Sequence, residues 1–302
     1  MHYMIEKKKV LILLAVFNGE KYLNEQVSSL LEQSELDIRI VISVDCSSDD
    51  SFDLCRKLSL ESDLITVLSY GERYGGAGKN FYRLIHDVEF DAYDYIAFCD
   101  QDDIWSSDKI SRAIESLQLC DCYSSNVTAF WSDGREVLID KAQPQREWDY
   151  LFEAAGPGCT YVFRREFGLV FQEWLRRHHE VIANKVSLHD WLVYAFARNN
   201  GYSWYIDPNP SMRYRQHQNN QVGTNNSLAA AKKRLRLIKD KWYRNQIVSI
   251  AALLGLEDTP VVKYGLMNGY LGNLYLLINI NKLRRRARDR LALAFFLLFN
   301  LF

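Results

Sequence analysis

Three carboxylates lie close together about one third of the way along the chain. Asp100, Asp102 and Asp103 directly follow an apolar run. Like charges this close repel one another unless a cation lies between them. Asp100 and Asp102 are two residues apart and point to the same side of an extended chain, which favours a hard divalent ion such as Mg²⁺ or Mn²⁺ shared with substrate phosphates. The alternative is an acidic turn before a helix that has Ser106 or Ser107 as its N-cap.

The elements around these carboxylates follow from the apolar pattern of the first hundred residues. Residues 10–16 form an apolar run typical of a strand buried on both faces, residues 38–44 are a second, mostly apolar run that contains Arg39 and Ser43, and residues 95–98 are a third run predicted as a buried strand. Helical spacing follows the first two runs. This alternation predicts an α/β fold with a mostly parallel, Rossmann-like sheet flanked by helices. Ligands of such folds bind where strands end in loops, so Asp45, which follows the second run, joins the candidate site.

A glycine-rich segment precedes the third run. Residues 71–78 contain four glycines, and Lys79 follows them. Backbone without side chains can approach a ligand closely, and a lysine beside it can bind a phosphate. The segment is not a P-loop, because Asn80 stands where that motif requires Ser or Thr. A flexible turn is the alternative. Two other polar segments, 134–146 and 212–220, are predicted as loops.

Charge is distributed unevenly along a chain whose formal net charge is −1. From residue 228 onward there are fourteen basic and four acidic residues, so we expect a first domain at 1–227 and a helical, basic C-terminal region at 228–302. Six basic residues lie in 281–290, and the apolar segment 291–302 is too short to span a bilayer. A basic cluster followed by a short apolar segment is typical of a helix lying on an anionic membrane surface. Docking on the domain or on a second subunit are the alternatives.

Composition and motifs exclude several other classes of protein. The six cysteines form no C-x-x-C pair, which argues against a zinc site. Three lysines at 7–9 precede an apolar run without a small-residue cleavage site, so the run is interpreted as a strand and not as a signal peptide. Reduced thiols in the cytoplasm are therefore expected. No nucleic-acid recognition motif accompanies the basic end of the chain.

Seven segments together carry a resemblance to a known family. In chain order they are LAVFNGEKYLNEQVSSLLEQS, VISVDCSSDDS, GGAGKNF, FCDQDDIW, GPGCTYVFRRE, LHDW and YRQHQNNQVG. Over residues 9–225 the chain resembles family 2 glycosyltransferases of the GT-A fold, particularly bacterial rhamnosyltransferase-like members. Each segment is weak alone, but seven in the family's order make a chance match very improbable.

The resemblance implies which residues bind the metal and which residue acts as the catalytic base. Asp100 and Asp102 match the D-x-D pair whose divalent metal bridges the donor diphosphate. His217 matches a late histidine near that metal. Asp190 matches the catalytic base, which takes the proton of an acceptor hydroxyl while the metal neutralises the departing diphosphate. One base without an enzyme nucleophile implies a single displacement with inversion.

The resemblance also implies contacts to both substrates. Asp45 matches the aspartate that contacts the nucleotide base. Its neighbours depart from the family pattern, because Val44 removes a carboxylate and Cys46 replaces a glycine. The nucleotide-sugar-binding set is Phe17, Asn18, Glu20, Asp45, Lys79, Asp100 and Gln101, and the acceptor-side set is Gly156, Pro157, Gly158 and Trp191.

The implied reaction is transfer of L-rhamnose from dTDP-β-L-rhamnose to a glycan or polyprenyl-linked glycan at the inner face of the bacterial plasma membrane. A UDP-hexose is the alternative donor, and a non-catalytic nucleotide-sugar-binding membrane module is the alternative of another class. A phosphatase would carry its Asp-x-Asp motif after the first strand, where this chain has Phe17 and Asn18. A dinucleotide oxidoreductase would carry G-x-G-x-x-G there.

Overall fold

The computed structural model describes residues 7–33, 35–217, 236–237 and 240–302. The strands in this part of the chain form two sheets. They are β1 (Lys9–Val16), β2 (Asp37–Val44), β3 (Ile65–Val67), β4 (Tyr95–Asp100), β5 (Ile104–Trp105), β6 (Cys122–Ser125), β7 (Val127–Phe130), β8 (Glu136–Ile139), β9 (Val162–Arg164), β10 (Trp204–Asp207) and β11 (Met212–Arg215).

Helices flank the larger sheet and make up the C-terminal region. A π-helical turn spans Val261–Leu266, and short 3-10 turns span Gly158–Thr160 and Ile280–Lys282. The α-helices are α1 (Glu20–Leu31), α2 (Ser51–Glu61), α3 (Ala77–Asp87), α4 (Lys109–Ser116), α5 (Asp149–Phe152), α6 (Arg165–Lys185), α7 (His189–Asn199), α8 (Trp242–Leu253), α9 (Gly269–Ile278) and α10 (Ala287–Leu298).

The larger sheet has the strand order β10-β6-β9-β4-β1-β2-β3. β1 is parallel to both β2 and β4, whereas β9 is antiparallel to β4 and β6. The chain runs outward from β1 to β3 and then returns to the other side of β1 with β4. The carboxyl ends of β1 and β4 therefore form a topological switch point, where open α/β sheets bind their ligands. The predicted α/β class and mostly parallel sheet are confirmed.

Alternating side chains of the central strands bury two hydrophobic layers. Leu11 and Leu13 of β1 pack in one layer with α3, α6 and α7, and Ile12 and Leu14 pack in the other with α1, α2 and α4. Successive strand residues point to opposite faces, so β1, which is apolar from Val10 to Val16, contributes to both layers. This burial fixes the position of the β1 carboxyl end, next to which the carboxylates after β4 lie.

The smaller sheet lies partly where the sequence predicts loops. Its order is β5-β11-β7-β8, with β11 antiparallel to β5 and parallel to β7. β8 falls inside the predicted loop 134–146, and β11 falls inside the predicted loop 212–220, of which residues 218–220 lie outside the described part of the chain. This sheet holds the segment after β4 against the segment that leads to His217.

The C-terminal helices share the core of the α/β domain. Leu276 of α9 and Leu293 and Leu297 of α10 belong to the same hydrophobic layer as Leu11. The predicted helical character of this region is confirmed, whereas the predicted boundary at 227–228 lies outside the described residues. Within the described ranges, none of the helices has the length and apolar character that crossing a bilayer demands.

Several basic residues of 281–290 are used inside the structure. Arg285 is buried and forms ion pairs with Asp149 at 3.3 Å and Glu153 at 3.7 Å. Lys282 pairs with an acidic side chain at 2.9 Å, and Arg290 donates to two backbone carbonyls. Fewer cations are therefore available to an anionic surface than the sequence count suggests.

Candidate active site

The carboxylates after β4 lie at the switch point of the larger sheet. Asp100 ends β4 and lies in register with Ala15 of β1. Its pKa is raised from 3.8 to about 7, first by burial and then by the charges of Asp102 and Asp190. A nearby cation would lower this pKa and relieve the repulsion.

Asp102 connects the carboxylates to the end of the smaller sheet. Its Oδ2 lies 2.6 Å from Nε2 of His217, and its carbonyl oxygen accepts the Arg215 guanidinium at 2.8 Å. The Tyr22 ring stacks on the His217 imidazole with centroids 5.2 Å apart. Asp102 therefore contacts one predicted metal ligand, His217, and interacts electrostatically with the other, Asp100.

Asp103, the third carboxylate, anchors the motif to the fold. Its Oδ1 accepts the Arg215 amide at 3.0 Å, and its own amide donates to Gln26 at 2.9 Å. Together with Asp100 and Cys159 it forms a cluster whose potential ligand atoms lie within 4.8 Å of one another. Burial holds the pKa of the Cys159 thiol well above its usual range, so this thiol stays protonated and is a poor ligand for a hard ion.

Two observations fit a divalent cation at this cluster. The pKa of Asp100 is raised in a crowded group of carboxylates, and the buried Oδ2 of Asp103 accepts no hydrogen bond from the described residues. A bound cation would lower the pKa of Asp100 and would give the Oδ2 of Asp103 a partner. Because the oxygens of Asp100 and Asp102 are hard ligands, the residues present fit Mg²⁺ or Mn²⁺ held by this pair.

Asp190 lies near these carboxylates, in the first turn of α7. Its charge contributes to the raised pKa of Asp100. A Cβ added at Gly158 would come within 2.9 Å of the Asp190 Cβ, and the next residue, Cys159, hydrogen-bonds to Asp100. The turn Gly158–Thr160 therefore lies against Asp190 on one side and against the carboxylates after β4 on the other.

The Asp190 carboxyl group is held by backbone hydrogen bonds. Its Oδ1 accepts the Trp191 amide at 2.8 Å, and the amide of Asp190 itself also hydrogen-bonds to the carboxylate. Burial raises the pKa of Asp190 to about 6, while the charge of Lys141 lowers it. His189 does not compete as a base, because burial lowers its pKa to about 3 and its ring stacks on Phe81 at 3.9 Å.

The loops after β1 and β2 form the predicted nucleotide side of the cleft. The Gln101 side chain accepts the Phe17 amide at 2.6 Å and donates to the Phe17 carbonyl at 2.8 Å. Asn18 adopts a positive φ of 48° and accepts the Ser48 amide at 2.8 Å. Glu20 accepts another backbone amide after β2 at 3.4 Å. Much of the polar capacity of these residues is used between loops, and the exposed Phe17 ring is open to a ligand.

Asp45 has a different environment from the one its predicted role requires. It is 1% exposed, and its carboxylate accepts the backbone amides of Cys46, Tyr74 and Gly75 at 2.7–2.8 Å. Three of its roughly four acceptor sites are therefore occupied, two of them by the glycine-rich segment. Because the side chain is buried, direct contact with a nucleotide base requires that segment to move. Lys79 is exposed in the first turn of α3, and its side chain makes no hydrogen bond with the described residues.

The predicted acceptor side is built from buried residues. Gly156 and Gly158 are buried, with Pro157 partly exposed between them. Trp191 is 3% exposed, donates its indole N–H to the Tyr150 carbonyl at 3.0 Å and packs beneath the loop. The prediction that Trp191 contacts an acceptor is therefore not supported, since a buried indole offers no accessible surface.

Three residues at or near the site were not identified by the sequence analysis. Cys159 lies in the quoted GPGCTYVFRRE segment, which indicated its neighbourhood but not its hydrogen bonds to the carboxylates. Tyr82 is fully buried, and its hydroxyl has no hydrogen-bond partner among the described residues. Lys141 comes from a predicted loop, and nothing in its type or spacing indicates that it lies near Asp190.

Comparison with known proteins identifies the family. The family described as glycosyl transferase family 2 matches residues 11–168. The dTDP-rhamnosyl transferase RfbG of Shigella flexneri is 47% identical over 292 residues, which cover 96% of this chain and 100% of that protein. The chain belongs to glycosyltransferase family 2. The predicted family, its rhamnosyltransferase-like branch and the transferase class are confirmed, and a non-catalytic module is excluded.

Solved structures share the fold of nearly the whole chain. TarS 1–349 of S. aureus in complex with UDP-GlcNAc has a TM-score of 0.53 at 15% identity, covering 91% of this chain and 81% of that one. The mannosyltransferase PcManGT from Pyrobaculum calidifontis in complex with GDP-Man and Mn²⁺ has a TM-score of 0.51 at 14% identity, covering 99% of this chain and 82% of that one. At these identities the likeness shows the fold alone.

Proposed function

We propose that this family 2 glycosyltransferase moves L-rhamnose from dTDP-β-L-rhamnose to a hydroxyl of a glycan, with inversion at the anomeric carbon. The donor is proposed from the dTDP-rhamnosyl transferase of Shigella flexneri, to which 96% of the chain is similar. The observation that carries the reaction is that Asp190 and Asp102 both lie close enough to Asp100 to raise its pKa, and that the turn Gly158–Thr160 lies between Asp190 and Asp100.

In this proposal the two sets of carboxylates divide the chemistry. Asp100 and Asp102 would hold the divalent ion, which supplies charge neutralisation for the departing diphosphate when bound. Asp190, ionised above its pKa of about 6, accepts the proton of the acceptor hydroxyl. The neighbouring His189 stays neutral, because burial lowers its pKa to about 3, and its ring stacks on Phe81 at 3.9 Å. The bond to the acceptor oxygen forms as the bond to the diphosphate breaks, and the proton ends on Asp190.

A donor screen tests the proposal. The enzyme is incubated with Mn²⁺ and either dTDP-β-L-rhamnose or UDP-glucose, and release of free nucleoside diphosphate is measured with and without added glycan. We expect glycan-dependent release of dTDP. Glycan-dependent release from UDP-glucose with none from the rhamnose donor would overturn the donor assignment.

We further propose that the protein acts at the inner face of the plasma membrane on a lipid-linked glycan. Support comes from exposed apolar side chains on α9 and at the C-terminal end of α10. Leu271 of α9 is 68% exposed, and Phe299, which directly follows α10, is 58% exposed. The Phe295 ring, 54% exposed, lies 4.6 Å from that of Phe299. Such a patch beside basic residues is suited to an anionic bilayer surface. A contact between two copies of the chain is the alternative for the same patch.

A further inference from the structure

A cavity of about 530 Å³ lies between α8, α10 and the segment that precedes α10, away from the carboxylates after β4. Its volume falls in the range of small-molecule binding sites. Its wall combines cations with apolar side chains and has a single acidic residue. We call it the basic pocket, and its lining is Lys141, Leu237, Lys241, Trp242, Tyr243, Arg244, Arg284, Arg286, Arg288, Asp289, Ala292, Leu293, Phe296, Leu301 and Phe302.

Three of the six cations in the basic pocket have no side-chain hydrogen bond or ion pair within the described residues. Arg244 is satisfied by backbone carbonyls and Asn273, and Arg284 lies 3.8 Å from Glu153. The side chains of Lys141, Lys241 and Arg286 form no hydrogen bond or ion pair with any described residue. Positive charges that converge on a cavity without partners favour an anionic ligand, because each gains a charge-assisted hydrogen bond on binding.

The rest of the wall of the basic pocket is apolar and favours a hydrocarbon part of a ligand. Trp242, Leu293, Phe296 and Phe302 line the pocket, and the exposed apolar patch of α10 continues from it. The cations contributed by Lys141 and the segment before α10 are thus followed by apolar surface along the helix. A ligand that matches both features is anionic at one end and apolar at the other.

The basic pocket adjoins the catalytic carboxylate. Lys141 lines the pocket and lies beside the acceptor-side loop, since a Cβ added at Gly156 would come within 3.8 Å of the Lys141 Cβ. The Tyr243 ring, another part of the wall, stacks on Trp191 with centroids 5.3 Å apart, and Trp191 directly follows Asp190. A ligand in the pocket therefore has its charged end directed towards the side of the cleft where the acceptor hydroxyl must arrive.

We propose that the basic pocket binds the diphosphate and the first isoprene units of a polyprenyl diphosphate that carries the acceptor glycan. The inference rests on the proposed function, because it assigns the acceptor to a lipid diphosphate and gives that lipid a site separate from the donor diphosphate. The glycan then extends from the pocket past Lys141 to Asp190, and the polyprenyl tail leaves along the apolar patch towards the membrane.

Calorimetric titration with farnesyl diphosphate tests the pocket. Saturating dTDP and Mn²⁺ are present so that the donor site is occupied. The double variant Lys241→Ala with Arg286→Ala removes two unpartnered cations, and Lys263→Ala is the control, a 55% exposed lysine outside the pocket. We expect the control to bind as the wild type does and the double variant to bind about 10- to 100-fold more weakly. Equal affinity in the wild type and the double variant would overturn the proposal.

Three further titrations identify which part of the ligand is recognised. Inorganic pyrophosphate and farnesol are each expected to bind more weakly than farnesyl diphosphate, because each fills only one end of the pocket. Phosphatidylglycerol vesicles that bind as tightly, with the same loss in the double variant, would show a general anionic-lipid contact and overturn the proposal.

The binding of dTDP to the wild type separates the two proposals. Binding of dTDP without binding of farnesyl diphosphate overturns the pocket alone. Binding of neither overturns both.

Discussion

The contact between Gly158 and α7 permits a sharp test of the active-site geometry. An alanine Cβ at Gly158 would lie 2.7 Å from Nε2 of His189 and 2.9 Å from Cβ of Asp190. Ordinary contacts between carbon atoms are about 3.5–4.0 Å, so the loop or α7 must move by about 0.6–1 Å. His189 is buried and stacked on Phe81 at 3.9 Å, which leaves little room on its side. The displacement therefore falls on Asp190 or on the loop that faces it.

The size of the expected effect follows from that displacement. A shift of about 1 Å in a catalytic group can reduce the rate by about 10²-fold, and overpacking a well-packed site costs about 1–3 kcal/mol of stability. We expect Gly158→Ala to lower kcat about 10- to 100-fold and to lower the Tm. The affinity for dTDP should stay near that of the wild type, because Asp102 does not contact this glycine. Steady-state transfer, thermal unfolding and dTDP titration measure the three quantities.

Gly156 supplies the matched control two residues away. A Cβ there would lie 3.5 Å from the Ser125 carbonyl oxygen and 3.8 Å from the Lys141 Cβ, which are ordinary contacts. Gly156→Ala should therefore keep nearly full activity and stability. Wild-type kcat in Gly158→Ala, or equal impairment of the two variants, would refute the close contact of this loop with the base.

Four other predictions follow from the site and the C-terminal patch. Asp190→Asn should keep dTDP affinity and lower transfer about 10²–10⁴-fold; full transfer would dismiss it as the base. Because Asp190 acts only when ionised, kcat/KM should fall about tenfold per pH unit below its pKa of about 6, and Lys141→Met, which removes a cation that lowers this pKa, should move the limb to higher pH. Asp102→Asn should remove the Mn²⁺-dependent increase in Tm with dTDP; an unchanged increase would contradict its role as a ligand. Phe295→Ser with Phe299→Ser should reduce sedimentation with anionic vesicles while transfer to a soluble acceptor persists; undiminished sedimentation would argue against the patch.

The central strands could be predicted because their surroundings are uniform. β1 and β4 are buried on both faces, so residues 10–16 and 95–98 are unbroken apolar runs, whereas the mostly apolar β2 is interrupted by Arg39 and Ser43. The turns fall where these runs end. β11 gives no such signal, because Met212–Arg215 alternates apolar residues with arginines and pairs with β5 and β7, which lie about eighty or more positions earlier in the chain. Strands stabilised by distant partners in a small sheet leave little local pattern.

Residue type predicts the chemistry of the site better than it predicts the accessibility and the neighbours of each side chain. Asp100, Asp102 and Asp190 were recognisable as acids at element ends, by type and by resemblance. Whether Trp191 is accessible depends on packing across several elements, which no local pattern records. The proximity of Lys141 to Asp190 likewise depends on the path of a loop. In the same way, the six basic residues at 281–290 suggested a charged surface, but Arg285 and several of its neighbours form ion pairs and hydrogen bonds within the fold.

The amides of Tyr74 and Gly75 on the Asp45 carboxylate have a consequence for how the donor enters. A pyrimidine that uses Asp45 as its partner arrives at an occupied acceptor, so capture of the base is an exchange of one hydrogen-bond donor for another. Each charge-assisted bond that is released is worth about 1.5–3 kcal/mol, and only the difference between old and new partners contributes to affinity. If Asp45 binds the base as predicted, the amides of the glycine-rich segment take the place of the nucleobase in the free enzyme, so this buried carboxylate keeps hydrogen-bond partners between turnovers.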